Sequence, residues 1–529
     1  MKLSTMIHQV NKFALCSAVI AVSMTLLTSC FGGKSGGRSG DRSTATGWLY
    51  NDPTYGGYEY TSGYEQETGP GLVFIEGGTF IMGRVEQDVM FSNNATPRRA
   101  TVTSFYMDQY EVSNANYREW LYWINKVFRE NRFVYQDALP DTLVWRRPLA
   151  YNEPYVENYF RHPAYADYPV VGVNWEQANK YCSWRTDRVN ENILYQKGII
   201  ELTVNDQNER DNFNTEAYLC GQVEVTDGEK PMEDLGNEGQ TRRVRRDDGI
   251  LLPKYELPTE AQWEFAALGL IGNTNDERIT DRRIYPWNSH VVRNPEDADR
   301  GRMMANFVRG NGDYMGTAGN LNDKGDVTVP VDSYWPNDYG LYCMAGNVNE
   351  WVRDVYRPLT FDDADELNPF RGNEFKHLVV DETGVPVEKD SIGHLREEYD
   401  KADNIVNRWN YRDAYAINYL DGDSHTNSVL GGDWSTSNAG TDDMYGGIPQ
   451  AVEGGGDEFR SQDATKNLGN LITDRMRVYK GGGWRDRAYW LSPGTRRWLD
   501  QKESRDDIGF RCAMVRVGSP ESNGRSQEK

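Results

Sequence analysis

The sequence predicts an α+β protein with much irregular structure, and three observations carry that expectation. Short β-prone apolar runs alternate with capped stretches of helical periodicity. Beyond residue 269 the chain is rich in Gly, Asn, Asp and aromatics. Aromatics reach 12% of 529 residues, with 15 Trp and 32 Tyr, although the mean hydropathy is only −0.74. Disordered chains are poor in aromatics, so the composition describes a folded, polar-surfaced protein whose core leans on aromatic rings. The formal net charge is −22. That balance argues against a nucleic-acid binder, which needs a basic face to neutralise phosphate, and against a basic-patch membrane binder.

At the N-terminus, Lys2 and Lys12 precede an apolar run from Phe13 to Leu27. A basic start and a short apolar run read as a signal peptide, too short for a spanning helix. Leu27-Thr28-Ser29-Cys30 follows and resembles a bacterial lipobox. It implies cleavage after residue 29 and lipidation of Cys30, with several acyl chains giving a stable anchor. An ordinary secretory signal with a chance Cys is the alternative. Residues 30–70 are expected as a lipidated, Gly/Ser-rich tether. Gly33-Lys-Ser-Gly-Gly37 fits a hydrolase pattern but has no strand before it or helix after it, so it is rejected as catalytic. No Asp follows Cys30, which by the familiar sorting pattern points to the outer membrane, periplasmic face.

From Gly71 to Gly83, two apolar β-prone runs around Gly77-Gly78 predict a hairpin. Thr101 to Asp108 reads as a further strand. Ser113 caps a helix whose Tyr117, Trp120, Leu121, Ile124, Val127 and Phe128 share one face. Val170–Val173 predicts a short strand. Asn174 then caps a helix with Trp175, Ala178 and Cys182 on one face. Thr259 and Gln262 form a capping box for a helix ending near Gly269.

Nine phrases in order resemble the formylglycine-generating-enzyme (FGE-sulfatase) family. They are Glu76-Gly-Gly-Thr-Phe-Ile-Met-Gly83, Tyr110-Glu-Val-Ser-Asn114, Pro169-Val-Val-Gly-Val-Asn-Trp175, Tyr181-Cys-Ser-Trp184, Leu257-Pro-Thr-Glu-Ala-Gln-Trp-Glu264, Tyr285-Pro-Trp287, Gly340-Leu-Tyr-Cys-Met-Ala-Gly-Asn-Val-Asn-Glu-Trp351, Gly481-Gly-Gly-Trp484 and Gly509-Phe-Arg-Cys512. The resemblance implies a C-type-lectin-like fold over 71–516, with a flexible tail at 517–529. Two polar, acidic stretches depart from the family frame, about 186–250 and 357–478. Loops this long are uncommon unless functional or disordered. The second holds Leu430-Gly-Gly-Asp-Trp434, which reads either as an extra hairpin built like Gly481-Gly-Gly-Trp484 or as coincidence.

In the enzymes of this family, two redox cysteines bind copper just after the Gly-Gly-x-aromatic strand, five residues apart. The matching positions are Asp486 and Leu491, neither of which is a thiolate, so oxidase chemistry is expected to be absent and no copper is expected. A related branch holds iron with His-x-x-x-His-x-Glu. Here His8, His162, His290, His377, His394 and His425 provide no such spacing. The resemblance also implies two structural calcium sites. One would use Asn306, the Phe307 carbonyl, Asp323 and the Gly325 carbonyl; the other would use Asn347 and Glu350.

Cys182, Cys220, Cys343 and Cys512 remain after Cys16 and Cys30 are set aside, and four cysteines allow three pairings. The resemblance favours Cys182 with Cys512 and leaves Cys220 and Cys343 open. A lipid-anchored, catalytically stripped member of the family resembles the gliding-motility and type IX secretion lipoproteins of Bacteroidetes. That implies a scaffold acting through protein–protein contacts, with GldK/PorK–GldN/PorN ring components or outer-membrane translocon components as partners and no nucleic acid. Two other readings stand beside it: an FGE-like oxidase using different residues, and a calcium-dependent glycan-binding protein.

Overall fold

The computed structural model describes residues 42–518 except 62, 87, 89–93, 203–204, 206, 238, 272–282, 310–324, 358–366, 368 and 400–474. Cys16, Cys30, Asp323, His8, His425, the Gly33–Gly37 run and the Leu430–Trp434 phrase lie outside the described residues. In chain order the strands are β1 (Leu72–Ile75), β2 (Gly78–Met82), β3 (Arg98–Val102), β4 (Phe105–Asp108), β5 (Met232–Glu233), β6 (Thr241–Arg242), β7 (Tyr255–Glu256), β8 (Asn349–Val355), β9 (Lys376–Leu378), β10 (Glu397–Tyr399), β11 (Met476–Lys480), β12 (Arg497–Asp500), β13 (Ile508–Gly509) and β14 (Ala513–Val515).

The described chain divides into two compact units. The smaller takes its residues from 42–64 and 231–249. In it β5 pairs antiparallel with β6. The Arg242 guanidinium donates to both oxygens of Asp248, at 2.8 and 2.7 Å, and also pairs with Glu59. Gly57 lies against this ribbon at φ 65°, and a Cβ there would meet the Leu235 carbonyl oxygen at 2.2 Å. Thus the C-terminal part of the stretch expected as tether carries ordered structure.

The larger unit holds two four-stranded sheets, ordered β1-β4-β14-β7 and β12-β11-β8-β13, with the ribbons β2-β3 and β9-β10. Three expectations are corrected here. β1 and β2 do not form a hairpin: β1 pairs with β4 and β2 with β3. The cause is Gly77, which packs so tightly on 102–104 that a Cβ would meet the Val102 carbonyl oxygen at 2.3 Å, and whose N–H donates to Ser104 Oγ at 3.0 Å. That contact crosses the chain from one sheet to the other, and Thr101–Asp108 accordingly breaks into the end of β3 and all of β4. Nor is Val170–Val173 a strand. Its amides instead reach irregular backbone, Val170 to the Val112 carbonyl and Gly172 to that of Arg505, each at 2.9 Å.

The helices form where capping and periodicity place them. Ser113 caps Asn114–Val127, whose buried stripe is Tyr117, Trp120, Leu121, Ile124 and Val127. Asn174 and Gln177 complete a capping box on Trp175–Gln196, which buries Ala178 and Cys182 and then Thr186, Asn190 and Leu194. The first polar stretch therefore begins inside a helix. Thr259 and Gln262 box Glu260–Leu268, and Gly269 ends it at φ 56°. These helices pack with Trp351, Phe510 and Cys512 or with Ile75, Phe105 and Val352 to form the two main core clusters. Among the described residues no helix is long and apolar enough to cross a membrane.

Candidate functional site

The Gly-Gly-Gly-Trp segment leaves β11 with Gly481 at φ 101° and Gly482 at φ 69°. A side chain at Gly482 would meet the Trp490 carbonyl oxygen at 2.8 Å, so only glycine lets the loop fold back on itself. The turn aims Asp486 inward, where Oδ2 accepts from the Gly483 N–H at 2.8 Å and the Asn349 amide at 3.0 Å. Arg497, on β12, donates to both carboxylate oxygens at 2.7 and 2.6 Å. Its guanidinium lies over the rings of Trp490 and Tyr479, at 4.4 and 4.9 Å from their centroids. Burial pushes the Asp486 carboxyl up, but the Arg497 bonds and charge outweigh it and hold the group below its usual range. Leu491 is wholly buried among Tyr285, Met303, Ala305, Phe307 and Ala345. The two positions that the family resemblance matches to copper thiolates hold an ion pair and a core side chain.

Beside them lies a second carboxylate pair. Asp506 meets Arg147 at 2.8 Å and also Arg485, and its carbonyl accepts from the Trp484 indole at 3.0 Å. Trp145 stacks on Trp484 with ring centroids 5.9 Å apart. Asp507 is buried and its Oδ1 has no hydrogen-bond partner. Burial, then the charges of Asp486 and Asp506, push its carboxyl up to about 6. The arrangement is a charged floor under an aromatic pair.

The expected calcium residues separate into two sets. Asn306 and Phe307 come together with Gly325, whose Cβ position would lie 2.9 Å from Asn306 Nδ2. The Asn306 amide donates to the Val327 carbonyl at 2.7 Å, and its main-chain carbonyl accepts from the Asn347 N–H at 3.0 Å. The Asn347–Glu350 set does not fit a cation. Both Glu350 oxygens are taken by Arg511, at 2.7 and 2.6 Å, and one also accepts from the Trp263 indole at 2.8 Å. The Asn347 amide donates to Glu111 at 2.6 Å and to the Val329 carbonyl at 3.2 Å, and accepts from the Val329 N–H at 2.9 Å. Among the described residues no group of three or more His, Cys, Asp or Glu side chains is placed to hold a metal.

Cys182 and Cys512 face each other as buried thiols, with sulfurs 3.1 Å apart. Burial and the neighbouring Cys512 push the Cys182 thiol well above its usual range. Cys343 is buried at φ 53°, and its thiol reaches the Val331 carbonyl at 3.4 Å. The structure also assigns parts to residues not singled out in sequence. Glu111 lies inside the quoted Tyr110–Asn114 phrase, and burial, then the Glu350 charge, push its carboxyl well up. Arg497 carries no local signal, because it meets Asp486 only when the loop between β11 and β12 folds back on β12.

Residues 59–390 and 389–516 match the FGE-sulfatase family model, a sulfatase-modifying factor enzyme 1-like domain. The chain belongs to that family. It is 25% identical over 300 residues to the formylglycine-generating enzyme of Mus musculus, an alignment covering 54% of this chain but only 58% of the mouse protein. The enzyme of Thermomonospora curvata is 26% identical over 293 residues, covering 55% and 73%. The mouse inactive C-alpha-formylglycine-generating enzyme 2 is 24% identical over 308 residues, covering 55% and 70%. Among solved structures, PvdO from Pseudomonas aeruginosa aligns over 84% of this chain and 94% of its own at 13% identity, with a TM-score of 0.39. The family model and the mixture of helices and sheets bear out the α+β class with much irregular structure.

Proposed function

We propose that this chain is a catalytically stripped member of its family. It works as a lipid-anchored scaffold at the periplasmic face of the outer membrane. There it assists assembly or stability of a type IX secretion and gliding-motility machine, in the manner of the GldJ and GldK (PorK) group it resembles. The observation that carries the non-catalytic reading is the replacement at positions 486 and 491. A carboxylate tied to Arg497 and a fully buried leucine cannot hold Cu(I) or pass electrons, which needs soft thiolate ligands. The similarity to a relative named inactive agrees with this. The lipobox-like segment ending at Cys30 supports the anchor. Exposed aromatics and long loops on a fixed frame suit partner binding. Calcium at the Asn306 corner and a Cys182–Cys512 bridge belong to the same reading.

The test has two arms. The purified chain, supplied with Cu(I), dioxygen and a sulfatase-type Cys peptide, is expected to leave the peptide unchanged by mass spectrometry. Formylglycine in the peptide overturns the reading. Affinity capture of the tagged full-length lipoprotein from detergent-solubilised outer membranes is expected to recover secretion-ring or translocon components. Solitary recovery counts against the scaffold.

A further inference from the structure

The small unit turns a group of aromatic rings toward solvent. Trp48 and Tyr58 are 60% and 64% exposed, and Tyr55 and Tyr60 are exposed in the same short segment. Single exposed rings are ordinary, whereas several gathered together mark a surface that meets something. Tyr50 gathers two of them: its ring centroid lies 4.8 Å from that of Tyr60 and 5.6 Å from that of Tyr58. The backbone holds them in place. The Asn51 N–H donates to the Tyr58 carbonyl at 2.9 Å, and the Asn51 side chain donates to the Tyr60 carbonyl at 3.0 Å and accepts from the Tyr60 N–H at 2.8 Å. Between them the chain turns on Asp52, which accepts from the Thr54 N–H at 2.9 Å, and on Gly56 at φ 89°. Trp48 closes the preceding turn, its carbonyl accepting from the Ser43 N–H at 2.8 Å.

The occupant follows from where the segment stands in the chain and from the chemistry of its rings. Eleven residues separate Cys30 from Arg42, the first described residue. Twelve Cα–Cα steps span at most about 40 Å in any conformation, roughly the thickness of one bilayer. An acyl anchor on Cys30 therefore keeps the segment beside the membrane at an effective concentration of roughly millimolar order. The large apolar side chains exposed in this segment are all Trp or Tyr. These are the residues whose apolar body and polar tip suit the membrane–water interface. Further along the chain the exposed set includes Phe133, Leu149 and Leu367, which have no polar tip. Charge does not choose the occupant. Residues 42–64 and 231–249 hold five arginines against seven carboxylates, so the small unit is near neutral in a chain of net charge −22.

We propose that the Trp48–Tyr60 segment seats in the headgroup layer of the bilayer that holds the anchor, giving the chain a second, noncovalent contact with the membrane. The indole and phenol bodies enter the interface, while the indole N–H and phenol O–H stay among headgroups and water. The inference rests on the lipid-anchor reading of Cys30 and goes beyond it. An anchor alone sets only the greatest distance from the membrane. A ring surface held by its own backbone bonds also sets which side of the small unit faces the lipid.

Full-length protein is mixed with phosphatidylcholine vesicles that contain a lipid carrying a diazirine beside its headgroup. After irradiation, attached lipid is mapped by peptide mass spectrometry, and intact mass reads the acylation of Cys30 separately. Label on Trp48–Tyr60 is expected at roughly fivefold or more the level on Phe133 and Tyr151, which are more exposed and so control for exposure alone. The double variant Trp48→Ser, Tyr58→Ser is expected to cut the label on the segment roughly fivefold, and circular dichroism melts confirm that it folds. Raising NaCl from about 20 to about 500 mM, or adding phosphatidylglycerol, is expected to change the label by less than about twofold, because charge is not the driving term. Equal label on all exposed rings, or label that survives the double variant, overturns the proposal. So does label that requires phosphatidylglycerol, which makes the contact an anionic-headgroup site. A segment that takes no lipid from vesicles but is shielded from carbene footprinting in native outer membranes overturns it in favour of a protein partner. Acylated protein with an unlabelled segment removes this contact and leaves the anchor. Unacylated protein whose segment still takes up lipid removes the anchor and leaves the contact, and failure of both removes both.

Discussion

Two arginine–carboxylate pairs face different tasks in this domain. Arg511 and Glu350 are both fully buried; Arg511 Nη1 donates to the Asp108 carbonyl at 3.1 Å, and Nη2, besides its bond to Glu350, donates to the Tyr342 carbonyl at 2.8 Å. Around that pair every polar demand is met, and it ties the Gly-Phe-Arg-Cys segment to β8. Arg497 and Asp486 are equally well aligned but partly exposed, and beside them Asp507 is left with an oxygen that nothing satisfies. The first pair is part of the frame. The second lies among a further carboxylate and aromatic rings, with Asp507 and Trp490 beside it. The hydrogen-bond account is complete around the first pair and incomplete beside the second.

The hardest test of that contrast is Arg511→Met. It leaves Glu350 as a buried, uncompensated charge, so a loss of about 3–5 kcal/mol is expected in urea unfolding. A loss near zero would show that the frame does not depend on the pair. Next is the neighbouring cysteine. In an oxidising compartment the facing sulfurs of Cys182 and Cys512 are expected to link, giving a cross-linked peptide in non-reducing mass spectrometry. Cys512→Ser is expected to lose about 2–4 kcal/mol relative to the oxidised chain. Only unlinked peptides from oxidised protein would sink that expectation.

Asp507→Asn probes the other side of the contrast and has the opposite sign. The folded carboxyl sits at about 6, above the unfolded value of about 3.9. The folded state therefore binds the proton more tightly, and the wild type loses stability as pH rises from about 4 to about 6. The variant removes the charge without removing a good hydrogen bond. It is expected to be more stable at pH 8, on the order of 1–3 kcal/mol, with the gain shrinking toward pH 4. Asp486, held low, behaves the other way: its contribution is present above the unfolded value and is lost on acidification. A gain independent of pH would mean that Asp507 is not the source.

Much of this was legible in sequence, and the reasons are physical. Caps and helical stripes are local, so Ser113, Asn174 and Thr259 with their periodic apolar partners could be read directly. Family phrases placed Asp486 and Leu491. Strand pairing is not local. The run from Gly71 to Gly83 carries the composition of a hairpin, and only its contact with Ser104 shows that it changes sheets. The ion-pair partners were hidden for the same reason. Arg511 stands 161 residues from Glu350, and Arg210 meets Glu388, 178 residues on, only because two polar stretches dock together. Nothing in either stretch announces the other, since Gln222 and Asn212 bond to backbone carbonyls that every sequence possesses, and the Arg210–Glu388 pair is one of many that the charges would allow.

The smallest effect tests whether the frame is built from local pieces that the sequence shows. Thr259 Oγ1 accepts from the Gln262 N–H at 3.2 Å, and the Gln262 side chain accepts from the Thr259 N–H at 2.9 Å. The box fixes the first turn of a nine-residue helix, too short to persist without its ends and its packing. That helix carries Trp263, whose indole is one of the donors to Glu350. Thr259→Ala leaves the Gln262 N–H without its acceptor and is expected to cost about 1 kcal/mol. Thr259→Ser keeps the hydroxyl and is expected to cost less. Because the cap acts on the helix and the Arg511 pair acts through the same Trp263 environment, a Thr259→Ala, Arg511→Met double variant is expected to lose less than the sum of the singles. Thr259→Ala combined with Asp507→Asn is expected to be additive, because neither hydrogen-bond network contains a residue of the other. Additivity in both cycles would mean that the helix cap and the buried pair stabilise the domain independently, and that Trp263 does not connect them.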